Sequence, residues 1–221
     1  MASPILITGF DPFDGMAYNP SADLVRALDG AELSGHPIAA RLLPVDFARY
    51  RAALEALLRE TRPALYVGFG LATGEDMIRI ERYGVNLADF VIPDNVGAQL
   101  SARPIEEGGP DARAATLPAA AIRAALLQAG IPARLSNSAG SFLCNATLYS
   151  ALGLCAALRP APPCGFIHLP YASHQVATML TERGGKLDGE SVAPSLPIET
   201  MIAAARIVLR VAVEALRQSP G

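Results

Sequence analysis

Short apolar runs of strand length recur along this chain, separated by stretches of helical period, and that alternation restricts the fold to a few architectures. Residues 5–10 (ILITGF), 38–45, 64–70 (ALYVGFG), 133–138 and 164–169 each read as a strand, with 5–10, 64–70 and 164–169 as buried ones. Apolar runs bounded by Gly, Pro or polar residues suit a sheet covered on both faces. Residues 47–60, 118–129, 144–158 and 198–217 space their apolar side chains at helical intervals. The expected class is α/β, with a twisted, mostly parallel central sheet between two helical layers. Residues 78–87 show the mixed alternation of an exposed or edge hairpin. Residues 94–117, rich in Gly, Pro and charge, predict a long loop with little regular structure. No repeat or linker divides the 221 residues, so a single domain over 1–221 is expected.

Composition then removes several classes of function. The formal net charge of -3 gives no electrostatic reason to bind nucleic acid or an anionic membrane. No stretch approaches the roughly 20 apolar residues that span a bilayer. The N-terminal MASPILITGF lacks the basic segment and cleavage site of a signal peptide, so a cytoplasmic location is expected. Three cysteines, Cys144, Cys155 and Cys164, contain no C-x-x-C pair and make neither a disulfide framework nor a zinc site. With no metal or nucleotide motif intact, no cofactor is expected: the glycines at 68, 70 and 74 precede a strand-like segment rather than a helix.

In open α/β sheets ligands gather outside the carboxyl ends of the strands. Asp11 and Asn19 follow the first strand, residues 70–74 the third, and His168 closes the run FIHLP. Cys144 follows a strand and a glycine turn at the start of a helix, in SNSAGSFLCNATLYSAL. A thiol there meets the positive end of the helix dipole and free backbone N–H groups, which favour thiolate. Read alone, Cys144 is a packing residue, and His168 a histidine tied to a carbonyl. Together they offer a nucleophile and its general base. Glu81, in IRIERYGVN, is by itself an exposed edge-strand charge, but it also suits the carboxylate that orients such a histidine. His36 and His174 read as solvated or packing residues.

Several motifs in fixed order resemble the pyroglutamyl peptidase I (pyrrolidone-carboxylate peptidase) family of cysteine peptidases. TGFDPFDGMAYNPS at 8–21 is similar to its GFxPFxGxxxNPS, and SAGSFLCN at 138–145 to its nucleophile motif. FIHLP at 166–170, VIPDN at 91–95 and SLPIET at 195–200 also resemble its segments. The resemblance implies a phosphorylase/hydrolase-like α/β/α fold. It makes Cys144 the nucleophile, His168 the general base and acid, and Glu81 the orienting carboxylate. It implies that Phe10, Phe13, Ile92, Phe142 and Leu143 hold a pyroglutamyl ring, with Asn19 and Leu71 at motif positions beside it. The implied protein is a cofactor-free, cytoplasmic homo-oligomer, dimer or tetramer. It would act on a small peptide or amide and release an N-terminal pyroglutamyl group through a thioester. The alternatives are an amidohydrolase of another small lactam, imide or acyl amide, and a non-catalytic binding protein on the same fold.

The sequence departs from the family pattern at identifiable places. GLATGE at 70–75 stands where the family reads G-Q-A-G-G-R, so Leu71, Thr73 and Glu75 replace Gln, Gly and Arg. Val91 replaces the arginine associated with oxyanion stabilisation, and Arg79 a small or hydroxyl residue. Strand alternation sends Arg79 and Glu81 to one face. Arg79 is therefore a candidate charge for the oxyanion, or else a partner that orients Glu81.

Overall fold

The computed structural model describes residues 2–182 and 192–218. In chain order the elements are β1 (Ile5–Phe10), α1 (Pro20–Leu28), β2 (Glu32–Leu33), β3 (His36–Leu43), α2 (Tyr50–Thr61), β4 (Leu65–Leu71), β5 (Ile78–Glu81) and β6 (Tyr83–Val85). They continue with β7 (Ala112–Ala114), α3 (Ala119–Gln128), β8 (Ala133–Ser136), α4 (Leu143–Ala157), β9 (Cys164–Leu169), β10 (Tyr171–Ala172), α5 (Ser173–Glu182), β11 (Ser195–Leu196) and α6 (Ile198–Gln218). Seven strands form the central sheet in the order β2-β3-β1-β4-β9-β5-β8. The β3, β1, β4 and β9 neighbours run parallel, as do β5 and β8. This is the expected α/β architecture.

Alternation along the strands supplies one core on each face of the sheet. Ile5, Ile7, Val67, Phe69, Ile78, Ile80 and Ile167 pack beneath α1, α3 and α6. Leu6, Phe10, Tyr66, Cys164 and Phe166 pack beneath α2 and α4. β1, β4 and β9 are buried along their whole length, which is why they read as continuous apolar runs. α4 is buried on most sides, so its sequence carries little polar periodicity.

Two expectations need correction. β5 is not part of an edge hairpin: it lies inside the sheet, antiparallel to β9 with Arg79 opposite His168, and parallel to β8. Its mixed pattern arises because Ile78 and Ile80 enter one core while Arg79 and Glu81 face the other side, where charges are paired. β6 instead pairs in a separate two-stranded ribbon with β7, which falls within the 94–117 stretch expected to lack regular structure. Much of the 94–117 stretch is pinned rather than loose. Asp94 accepts from the backbone of Phe47, Val96 and Ala98, and Asn86 from that of Ile105 and Glu106. Helix α1 adds to the helices expected from sequence, although its start signal is present there: Asn19 caps Ser21 N at 3.1 Å, and Pro20 opens the first turn.

Candidate active site

Outside the carboxyl ends of β1, β4 and β9 lies a cavity of about 420 Å³. Phe10, Leu71 and His168 enter it from these strands, and Phe142, Leu143 and Cys144 from the start of α4. Phe13, Asn19, Arg79 and Ile92 complete the set expected from sequence. Glu81 stands behind His168 rather than in the wall. Thr73, within the strand-end stretch 70–74, also lines the cavity, as do Asp14, Val45 and Ser141, which no sequence pattern singled out. Phe13 and Phe142 meet with ring centroids 6.0 Å apart, and Phe90 braces Phe142 edge-on at 4.6 Å. The side-chain oxygen of Asn19 is taken by the N–H and hydroxyl of Ser21, so its first task is to shape the loop after β1.

The antiparallel register of β5 on β9 brings Glu81 to His168. The Nδ1–H of His168 donates to Glu81 Oε1 at 2.8 Å, leaving Nε2 as the other ring nitrogen. Both groups are buried, and the Phe166 ring packs edge-on against the imidazole at 5.1 Å. Arg79 Nε lies 3.0 Å from the same carboxylate oxygen, as an ion pair without hydrogen-bond alignment. Glu81 Oε2 is buried without a hydrogen-bond partner among the described residues. A buried carboxylate in such a place depends on its paired cation, and removal of that partner is strongly unfavourable.

Cys144 is the second residue of α4. The first intrahelical bond there runs from Ala146 N to Phe142 O, and no side chain caps the turn. The N–H groups of Leu143, Cys144 and Asn145 thus belong to the unpaired end of the helix. The expectation of a thiolate at rest is corrected: the Cys144 thiol is pushed up from 9.0 to about 12. Burial is the main cause and the Glu81 charge adds to it, outweighing Arg79 and the Cys144 backbone N–H. A thiol raised in this way needs a base to take its proton during reaction.

Two glycines explain themselves at this point. A Cβ on Gly70 would lie 2.7 Å from Cys144 Sγ and 2.9 Å from Phe166, and one on Gly68 would lie 2.5 Å from the Phe166 ring. The glycines of β4 make room for the thiol and for the ring that supports His168. Asn145 was also missed. Its side chain accepts from Val85 N and donates to Val85 O and Leu87 O, fixing the start of α4 against β6. Val91, where the family pattern has arginine, is 89% exposed at the cavity rim.

Comparison with known proteins accords with this arrangement. The family model described as pyroglutamyl peptidase matches residues 3–216. The chain belongs to that family. It is 38% identical to the pyrrolidone-carboxylate peptidase of Pyrococcus furiosus over 212 residues, covering 96% of this chain and 99% of that one. With the corresponding protein of Deinococcus radiodurans the identity is 46% over 168 residues, 75% of this chain and 77% of the relative. The crystal structure of pyrrolidone carboxyl peptidase from P. furiosus superposes with a TM-score of 0.90 at 37% identity, covering 96% of this chain and 99% of that one. Family membership and the α/β/α fold therefore rest on nearly the whole chain. Among the described residues no group of three or more His, Cys, Asp or Glu is arranged to hold a metal ion, and no helix is long and apolar enough to cross a membrane.

Proposed function

We propose that this protein is a cysteine peptidase that removes an N-terminal pyroglutamyl residue from peptides. The observation that carries the reading is His168, held by Glu81 at 2.8 Å from behind, facing the same cavity as Cys144 at the start of α4. The peptidase names of its relatives support the substrate, and so does an apolar wall of Phe10, Phe13, Phe142, Leu143 and Ile92 suited to a small lactam ring.

His168 Nε2 accepts the Cys144 proton as Sγ attacks the pyroglutamyl carbonyl carbon, forming a tetrahedral adduct with its charge on oxygen. Glu81 holds Nδ1–H and stabilises the imidazolium. Collapse of the adduct breaks the C–N bond, and the imidazolium gives its proton to the departing amine. Water, deprotonated by His168, then cleaves the thioester and restores the thiol. With no donor on the Val91 side chain, the backbone N–H groups at the start of α4 are the donors for the oxyanion. The raised thiol fits this scheme, because proton transfer to His168 accompanies attack instead of preceding it.

Release of a fluorescent amine from a pyroglutamyl amide is the direct assay. Wild-type protein is expected to turn over, and Cys144→Ala to lose all but the background rate. No turnover by correctly folded wild type would sink the reading. In the same reading the chain works as one domain without a cofactor, in the cytoplasm, as a homodimer or homotetramer that sedimentation would resolve.

A further inference from the structure

Arg79 is held on several sides by groups that belong to different parts of the site. Its Nη1 donates to Glu75 Oε1 at 2.8 Å, and Nη2 donates to Ser136 Oγ at 2.9 Å and to the carbonyl oxygen of Ser138. Three of its five N–H groups are thus hydrogen-bonded, while Nε faces Glu81 as an ion pair without hydrogen-bond alignment. Glu75 in turn receives Arg134 on both oxygens, at 2.9 and 2.8 Å. Charges therefore alternate from solvent inward through Arg134, Glu75, Arg79 and Glu81 to His168. The side chains of Glu75 and Arg79 are only 18% and 16% exposed, so solvent screens their fields weakly.

We propose that Glu75 and Arg79 are positioning residues: Arg79 fixes Glu81 against His168 and clamps the turn leading to Cys144, while Glu75 draws part of its positive charge away from that pair. The proposal rests on the peptidase reading above and replaces the idea that Arg79 serves the oxyanion, since both terminal nitrogens are already held by Glu75, Ser136 and Ser138 and Nε is turned to Glu81. Glu75 shows its side of the bargain electrostatically. Burial pushes its carboxyl up, but Arg134 and Arg79 outweigh that and hold it below the ordinary carboxylate range. The charged or titratable groups around His168 are few. β5 brings Arg79 and Glu81, α4 brings Cys144, and the loop after β1 brings Asp14 to the cavity. β4 places Gly70 opposite His168 and Leu71 beside it.

The sign of each substitution follows. In Glu75→Gln the charge of Arg79 bears more fully on Glu81 and on the imidazolium, so the ring gives up its proton at lower pH. In Arg79→Gln the Glu81 charge is unopposed and the ring keeps its proton to higher pH. The experiment is the pH dependence of kcat/KM on a pyroglutamyl amide for wild type and both variants, with NMR titration of the His168 ring in parallel. The acid limb is expected to move up by about one pH unit in Arg79→Gln and down by less in Glu75→Gln. Arg79→Lys, which keeps the charge and loses the fork, is expected to hold the limb near wild type while kcat falls. Limbs that stay in place, or move in the same direction, would overturn the proposal. So would a 100- to 1000-fold loss of kcat in Arg79→Gln with an unmoved limb, the mark of a lost oxyanion donor. If Arg79→Gln does not fold, the Glu75→Gln limb and ring titration decide. The ring titration needs no turnover, so a wild type inactive on pyroglutamyl amides would refute the substrate reading and leave this test standing.

Discussion

At the scale of single residues, the contact between Gly70 and Cys144 decides the geometry of attack. A Cβ 2.7 Å from the sulfur forces the thiol or the strand to move. A displacement near 1 Å costs about 100-fold in rate, so Gly70→Ala is expected to lower kcat by about that factor, checked with the pyroglutamyl amide assay. The thiol itself was half legible in sequence. A helix start with a histidine elsewhere identified Cys144, yet local rules pointed to a thiolate, because they count the dipole and omit burial. The structure reverses the balance through desolvation and the Glu81 charge. Thiolate ultraviolet absorbance that depends on Cys144 is therefore expected to be absent at neutral pH and to grow only toward pH 12; full absorbance at pH 7 would contradict it. Glu81 was the least legible of the three. Its neighbours in sequence describe an edge, and its burial comes from β9 and β8 on either side.

At the scale of elements, α4 and β6 lean on each other through backbone proximity. A Cβ on Gly84 would sit 2.7 Å from Tyr149 N, so only glycine lets β6 come this close to the helix. That approach puts Val85 and Leu87 within reach of the buried Asn145 amide, which makes three hydrogen bonds to them. Asn145→Ala leaves part-buried backbone groups of Val85 and Leu87 without their partner, at a cost of about 1 kcal/mol. A lower urea midpoint with unchanged slope is the expected result, accompanied by reduced kcat because the start of α4 carries Cys144. Nothing periodic marks Asn145 or Gly84, so neither was visible before the chain was folded. α4 itself was visible, to within a residue at each end, because its length and apolar content suit no strand.

At the scale of the whole molecule, titration behaviour follows from how many neutral acids the core holds. Burial raises Tyr50 and Tyr66 above their ordinary value of 10.0, and Cys144 and Cys164 above 9.0. The folded chain keeps these protons while the unfolded chain sheds them, so their contribution is complete below about pH 9 and lost progressively as pH rises above it. At the acid end Arg113 is the main cause that lowers Glu106, and the Arg134 and Arg79 pairings lower Glu75 against burial. Their stability is present above the ordinary carboxylate range and lost as pH falls through it. Urea unfolding across pH should thus show a plateau between about pH 5 and 8; a stability still rising at pH 10 would contradict this assignment. By itself, the sequence determined the α/β class, the main strands and helices, and the residue types that face the cavity, since these depend on local periodicity and on residues near strand ends. Only the tertiary structure decided that β5 lies inside the sheet, that Glu81 is buried against His168, that Arg79 is held by Glu75, Glu81 and the turn before Cys144, and that its surroundings raise the thiol's pKa. Each of these depends on which strand lies beside which, and on how much water that pairing excludes. No local pattern encodes either quantity.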